Sequence, residues 1–511
     1  PFVPFSTAAE RTKRSTMLFL SPPQQHGLAL FAIQSRNLPV SLLRAHAAAD
    51  GTMETLEGPF SSQDVTRFWG QNPFVVRKAF QADDLLESKT WPNWQDIVDL
   101  ACSGEEEDTS WQEEVDDEDD DDDQDVWGYA DEAIFLSTGQ SARLIRHTPG
   151  KLDTFRADLG PFTYKDLEQI DNKEKWSLLM NDVDRYRPAL ADWMDENFGF
   201  LPRWRRDDAQ ISIAPTGGGI GPHVDSYDVF LIQAAGTREW RIQPSPTVSI
   251  QEEMDRLLPG ISVRILEPVN ESTDFVSVKL EAGDMLYLPP RVTHWGISTS
   301  DDCMTLSVGC RAPAAQEIVA RLAENILSSF HPTASQRYAE EILPATLQPY
   351  PSITPAIRVQ MKDMVLKAVE NALADESEWD KLLGKLVTEP KRLSEVPMLE
   401  DQDDDYLDKW GSTPKRVLTR VKSHPKAFLK RASGISFATS RIVSPDGTFV
   451  DRLFANGKFW ETCNDKRASE LFHCIEQGIA LTAEHLVDDL SLDIENILLD
   501  LIADGLLVVS A

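Results

Sequence analysis

The stretch GPHVDSYDVFLIQAAGTREWRI, beginning at Gly221, sets His223 and Asp225 two positions apart at the head of an apolar, β-branched run. In an extended chain residues i and i+2 point to the same face. One imidazole and one carboxylate are therefore presented together while Val224 turns away, which supplies two ligands of a metal ion. A third should come from another strand. Among nine histidines His294 stands out, because EAGDMLYLPPRVTHWGI reads as a turn, a strand and a Pro-Pro stop, with the histidine opening the next strand 71 residues after His223. Two histidines and one carboxylate form a facial triad. Such a triad leaves three positions open on an octahedral ion, as nonhaem iron(II) needs if it is to take both a cosubstrate and dioxygen. A structural zinc would instead want a closed tetrahedral shell, usually with cysteine. The remaining histidines, His26, His46, His147, His331, His424, His473 and His485, fall in tails, loops or helical stretches and carry no comparable context.

An oxygenase that uses 2-oxoglutarate also needs a fixed cation for the far carboxylate of that acid. Arg238, fifteen residues after His223 on the return strand TREWRI, is placed for it, and a guanidinium grips a carboxylate in bidentate fashion. Arg241 is the rival, but three residues along an extended strand it lies on the opposite face. Ser212, in ISIAP, is a candidate to donate a supporting hydrogen bond. The Gly-rich APTGGGIGP lets the backbone come close to the site.

The elements that must position these groups are short β-branched runs punctuated by Gly and Pro: AQISIAP, DVFLIQAAG, REWRIQP, DFVSVKLEAGDMLYLPP and CMTLSVGC. That spacing predicts an antiparallel sandwich or barrel. Ahead of it, WSLLMNDVDRYRPALADWMDENF has helical periodicity and is expected to pack on the outside. Folded chain is expected to begin near Gly58, with a short helix and a strand at 73–77. After Pro313 the period changes. Ile318, Val319, Leu322, Ile326 and Leu327 share one helical face, and Ile357, Met361, Val365 and Ala368 share another. An apolar helix pair beside a complete barrel suggests an oligomer interface. A segment at 396–430 reads as a linker turning from acidic to basic. Strands GISFATSRIV and GTFVDRLFANGKFWE follow, with Asn456-Gly457 as a hairpin signal. Helices from Ala468, Thr482 and Asp493 and a last strand GLLVVS complete an order that suits a winged helix.

The 511 residues carry a formal charge of −34, and residues 105–125 alone hold fifteen acids and no base. Nonspecific affinity for nucleic acid is thereby opposed and a cationic partner favoured. From Ala468 onward there is no Lys or Arg, which argues against DNA contact by the last unit. The basic run at 415–431 reads as solvated surface. Five cysteines, Cys102, Cys303, Cys310, Cys463 and Cys474, form no CxxC pair, so neither a disulfide framework nor a zinc site is indicated. No apolar run approaches the roughly 18 residues of a membrane span. Residues 1–49 hold Arg11, Lys13, Arg14, Arg36 and Arg44 against Glu10 alone. That balance suggests an organelle-targeting segment, mitochondrial or plastid, with cytoplasm or nucleus as the alternative.

Taken together, GGGIGPHVDSYDVFLIQAAGTREWRI, EAGDMLYLPPRVTHWG and LSVGCRAP resemble the Jumonji-C ribosomal oxygenases of the cupin superfamily. The likeness is to the bacterial-type branch that hydroxylates an arginine of large-subunit ribosomal protein sixteen. Fainter similarity (NPFVVRKAF, SARLIRH, WSLLMNDV, LFANGKFW, IALTAEHL) extends from about residue 60 to the end. The resemblance implies an α+β protein with a double-stranded β-helix (jelly-roll) core at 59–312, interrupted by an acidic insertion at 103–127. It further implies a helical dimerisation domain at 313–395 and, beyond the linker, a winged helix at 431–511, with 1–58 as a targeting or disordered segment. His223, Asp225 and His294 fall on the family's Fe(II) ligands and Arg238 on its 2-oxoglutarate cation, with O2 as the second cosubstrate. Relatives that hydroxylate histidine typically carry Lys at the Arg238 position, so Arg favours the arginine branch and a ribosomal protein substrate. A histidyl hydroxylase, a JmjC demethylase and a noncatalytic cupin are the alternatives.

Overall fold

The computed structural model describes residues 53–103, 141–243, 248–260, 263–267, 275–328, 336–339, 353–390, 404–443, 446–486 and 490–510. The acidic insertion, from residue 104, and the first 52 residues, with the targeting segment read there, lie outside the described residues. Twelve strands come first: β1 Glu54–Glu57, β2 Phe74–Arg77, β3 Ala142–His147, β4 Arg156–Leu159, β5 Lys175–Met180, β6 Arg206–Ala214, β7 Val229–Ala235, β8 Thr237–Gln243, β9 Val276–Glu281, β10 Met285–Leu288, β11 Thr293–Ser298 and β12 Cys303–Cys310. Nine of them form one sheet in the order β1-β2-β10-β7-β12-β6-β5-β3-β4, and the other three form a second, β11-β8-β9. From β6 to β12 the chain passes repeatedly between the two sheets, the sandwich predicted from the strand spacing, here in the form of the double-stranded β-helix that the family resemblance implies.

At the centre of the large sheet both faces are buried, which is why β2, β7 and β10 read as continuous apolar runs. From β7, Val229 and Leu231 join Leu286 and Leu288 of β10 and Trp240, Ile242 and Leu280 of the small sheet in one cluster between the sheets. Phe230 and Ile232 turn the other way, to Phe74, Met285 and Tyr287 and to Leu190, Trp193 and Phe198 of the helix Pro188–Phe198. A polar residue on the inward face of such a strand has no water to meet and must find a partner within the barrel.

Three expectations are corrected. Glu54–Glu57 is an ordered strand pairing in parallel with β2, so folded chain precedes Gly58; a polar ETLE added to a sheet edge leaves no mark in the apolar pattern. The helical reading of 176–198 holds only for its second half, because Lys175–Met180 is β5, paired with β3 and β6. Its four buried residues, Ser177 to Met180, suit a strand covered on both faces as well as a helix, and the neighbouring strands decide. Finally, much of the supposed linker is helical: Asp404–Trp410 and Pro414–Ser423 place Trp410, Val417, Leu418 and Val421 in a second core. Lys415, Arg416 and Arg420 of the basic run lie on the solvated face of an amphipathic helix, but Arg431 at its end is buried, so the reading of 415–431 as solvated surface holds only for its first part.

Between the two cores lie the helices Ala315–Ser328, Pro355–Leu373 and Glu376–Thr388. The last is held to the C-terminal unit by Arg452, whose guanidinium reaches Asp380 at 2.8 Å and Glu461 at 2.9 Å. That unit contains β13 Phe428–Arg431, β14 Phe437–Val443, β15 Phe449–Ala455, β16 Lys458–Cys463, β17 Leu481–Thr482 and β18 Leu507–Ser510, with helices Ala468–Gln477 and Leu492–Ala503. Asn456 and Gly457 both take positive φ, 48° and 71°, as the β15–β16 hairpin turn requires. The helix expected from Thr482 is instead the short β17 and a turn. Leu481 pairs with Leu429 of β13, while the Thr482 amide donates to His485 Nδ1 at 3.2 Å, so the backbone is satisfied without a helix.

Candidate metal centre

The segment carrying His223 and Asp225 is extended but lies ahead of β7, joined to β11 through one bridge rather than a strand ladder. His223 N donates to His294 O at 3.0 Å and His294 N to His223 O at 2.9 Å. Arg291 N donates to Asp225 O at 2.8 Å and Leu266 N to Pro222 O at 2.8 Å. Arg291 is itself fixed, with φ at 69° and its guanidinium bound to Val248 O, Ser249 O and Glu253. Backbone contacts thus set the positions of all three side chains. The Gly-rich turn contributes as anticipated: a Cβ on Gly219 would stand 2.3 Å from Gly296 O, so only glycine lets that turn lie against β11.

The three sequence-picked ligands converge. One ligand atom from each of His223, Asp225 and His294 lies within 4.8 Å of the others, and among the described residues they are the sole group of metal-ligating side chains so disposed. His294 Nε2 is 3.6 Å from Asp225 Oδ2, and the two imidazole centroids are 4.2 Å apart. Each ring uses its other nitrogen on the backbone, His223 Nδ1 with Gly221 O at 2.9 Å and His294 Nδ1 with Val292 O at 3.0 Å. Since a carbonyl only accepts, Nδ1 carries the proton and Nε2 keeps its lone pair for an ion. Burial, seconded by the neighbouring His223, pushes His294 down to about 4, against the opposing pull of Asp225. The ring is a neutral ligand at physiological pH. Two nitrogens and a carboxylate, with no thiol among them, fit a divalent ion that keeps open positions.

Arg238 lies inside the barrel, 4% exposed, whereas Arg241 faces outward. The strand alternation read from the sequence therefore separates the two correctly. Arg238 Nε donates to Cys303 Sγ at 3.3 Å and one terminal nitrogen to Ser212 Oγ at 3.2 Å, while the other terminal nitrogen, buried, has no partner. An unpaired guanidinium N–H in a barrel interior suits a small carboxylate. Trp240 lies against both this cation and the triad, its ring 5.7 Å from Arg238 Cζ and 5.9 Å from the His294 centroid. The guanidinium and the His294 ring are therefore no more than about 12 Å apart, which leaves both within reach of one small diacid.

Several groups here escaped the sequence reading. Gln233, fully buried, donates to Cys303 Sγ at 3.4 Å and accepts from Thr305 Oγ1 at 3.1 Å. Gln233 and Thr305 thus join the buried polar group that reaches Arg238 through Cys303. The available signal was a glutamine at an inward position of an otherwise apolar strand. His147, set aside as lacking context, ends β3 and is buried, stacked on Phe155 at 4.1 Å. It does not join the centre.

Residues 194–318 match the JmjC domain family. A probable ribosomal oxygenase of Haemophilus influenzae is 35% identical over 167 residues, which is 33% of this chain and 39% of that relative. The ribosomal protein uL16 3-hydroxylase of Escherichia coli is 32% identical over 318 residues, or 62% of this chain and 78% of the relative. Among solved structures, YcfD, a ribosomal oxygenase from E. coli in complex with cobalt and 2-oxoglutarate, superposes with a TM-score of 0.60 at 22% identity, covering 88% of this chain and 99% of that one.

Proposed function

This chain belongs to the JmjC ribosomal oxygenase family, and on that premise we propose that it is an Fe(II)- and 2-oxoglutarate-dependent hydroxylase of a ribosomal protein, with position 3 of an arginine in the uL16-type protein as its target. The observation that carries this reading is the convergence of His223, Asp225 and His294 in one barrel that also buries an arginine with an unpaired N–H. His223, Asp225 and His294 would hold the metal, and Arg238, steadied by Ser212, the distal carboxylate of the diacid. When bound, iron and 2-oxoglutarate supply the dioxygen activation and the succinate and carbon dioxide that accompany hydroxylation.

The chain's own part is geometric. Backbone bonds at Gly221 and Val292 aim both Nε2 lone pairs at the same point. Trp240, 3% exposed, and the apolar cluster around it keep water from the span between cation and triad. Arg238 would hold the cosubstrate's distal carboxylate from within the barrel, while His223 and Asp225, both part-exposed, leave the triad accessible to a substrate side chain. The net charge of −34 favours approach of a basic ribosomal protein.

Three finer readings belong to the same proposal. The helices after the barrel form a homodimer interface, a reading supported by Val319, Val359 and Val365, all more than 60% exposed, and by a 19-residue helix with no buried residue. The C-terminal unit is a winged-helix module that does not bind DNA, in keeping with its lack of Lys and Arg after residue 467. The basic balance of residues 1–49 supports delivery to an organelle with bacterial-type ribosomes.

The test is incubation of the full chain with Fe(II), 2-oxoglutarate and recombinant uL16-type protein. Succinate formed in step with the gain of one oxygen atom on an arginine supports the proposal. Formaldehyde release from a methylated peptide would indicate a demethylase instead, and absence of iron-dependent turnover a binding cupin.

A further inference from the structure

Where the oxygenase barrel meets the C-terminal unit, three arginines are buried side by side. Arg203 and Arg206 flank the start of β6, and Arg431 ends β13; they are 4%, 1% and 6% exposed. Together with Asp184 and Asp195 they line a cavity of about 20 Å³, room for one water-sized occupant. Asp195 serves two of the cations, accepting from Arg206 at 2.6 Å through Oδ1 and pairing Oδ2 with Arg431. Arg431 also donates to Glu476 O at 2.6 Å, and Arg203 to Arg206 O at 2.8 Å.

The donors outnumber their acceptors. One terminal nitrogen of Arg206 makes both of that side chain's contacts, to Asp195 and Met194 O, while its Nε and other terminal nitrogen have no partner although buried. Asp184 and Glu476 do not offset the surplus: the contact of Asp184 with Arg203 is a loose 3.8 Å, the carboxylate of Glu476 accepts from Thr439, and burial raises both carboxyls toward the neutral acid. Arg203 is pushed down to about 9, by burial first and then by Arg431 and Arg206, as expected where positive charge is in excess. A buried guanidinium N–H left without an acceptor is costly. Room for one water-sized occupant suits a monatomic anion.

We propose that this cavity is a binding site for a single halide ion, chloride in the cell, that is held chiefly by Arg206 and locks the C-terminal unit onto the barrel. The ion accepts from the Arg206 nitrogens that lack partners and adds the negative charge that Asp195 alone does not supply. The proposal stands apart from the catalytic reading, since none of its residues lines the barrel interior.

The experiment uses the full chain crystallised from sodium bromide, with diffraction data collected at the bromine absorption edge. An anomalous peak beside the Arg206 guanidinium is expected. An ordered water there with no anomalous signal would overturn the proposal. In parallel, thermal unfolding is followed in sodium chloride and in sodium gluconate of equal ionic strength, where the midpoint should rise saturably with chloride and not with gluconate. In Arg206→Gln the chloride response should vanish, and its persistence would also overturn the proposal. Should that variant not fold, Arg206→Lys and the bromide map still decide.

Discussion

His223 and His294, far apart in sequence, exchange both of their backbone hydrogen bonds, at 3.0 and 2.9 Å, which sets their imidazole centroids 4.2 Å apart. The pairing belongs to the main chain and does not depend on either side chain. Replacing His223 or Asp225 by Ala should therefore abolish 2-oxoglutarate turnover while leaving the fold intact. Succinate assays paired with far-UV circular dichroism check this, and unaltered turnover in either variant would count against the metal centre.

Arg238→Met removes the cation but keeps a side chain of similar length inside the barrel. Loss of a charge-assisted hydrogen bond, about 1.5–3 kcal/mol, should raise the 2-oxoglutarate KM by about 10- to 100-fold. Ser212→Ala removes one neutral partner of Arg238 and should raise it by about 2- to 10-fold. Steady-state kinetics with varied cosubstrate separate the two.

Gly219→Ala introduces a methyl group 2.3 Å from the carbonyl oxygen of Gly296, on the strand that carries His294. A backbone atom cannot swing aside, so β11 must shift. A stability loss of about 1–3 kcal/mol, with weaker metal binding by titration calorimetry, is the expected outcome.

His147 stacks on Phe155 with its Nδ1 unpaired, and burial is the main cause that pushes it down to about 4. Between pH 6.5 and 4 the unfolded chain binds a proton there that the folded chain does not, so stability falls as pH drops through that window. By pH 5 the loss amounts to about 2 kcal/mol. His147→Phe should escape it, and urea denaturation of both proteins at neutral pH and near pH 5 measures the difference.

Val359 and Val365, 68% and 63% exposed on one helix, should lie in a dimer contact. Val359→Asp combined with Val365→Asp is expected to halve the mass found by sedimentation equilibrium, with the barrel unaffected. A parent protein that is already monomeric at micromolar concentration would remove the interface.

Legibility in the sequence followed the range of the forces involved. The HxD pair and the choice of Arg238 over Arg241 could be read from strand alternation, and His294 from the turn, strand and Pro-Pro stop before it, all properties of the local backbone. The glycines were legible for the same reason. Residues 176–180 were misread because an apolar run of that length satisfies both periods, and only pairing with β3 and β6 selects the strand. Helix 414–423 was taken for a linker because its basic residues mask the spacing of Val417, Leu418 and Val421, which the second core buries.

By itself, then, the sequence determined the candidate ligands and the candidate cation, the inward face for Arg238 and the order of β units followed by helical ones, because side-chain alternation and turn chemistry act over a few residues. Only the tertiary structure decided that His294 meets the 223–225 segment through a two-bond bridge, that one Arg238 nitrogen is left free beside Cys303 and Ser212, and that three arginines crowd one small cavity. Those outcomes depend on which hydrogen-bonding groups remain once distant strands have paired, and no local pattern contains that remainder.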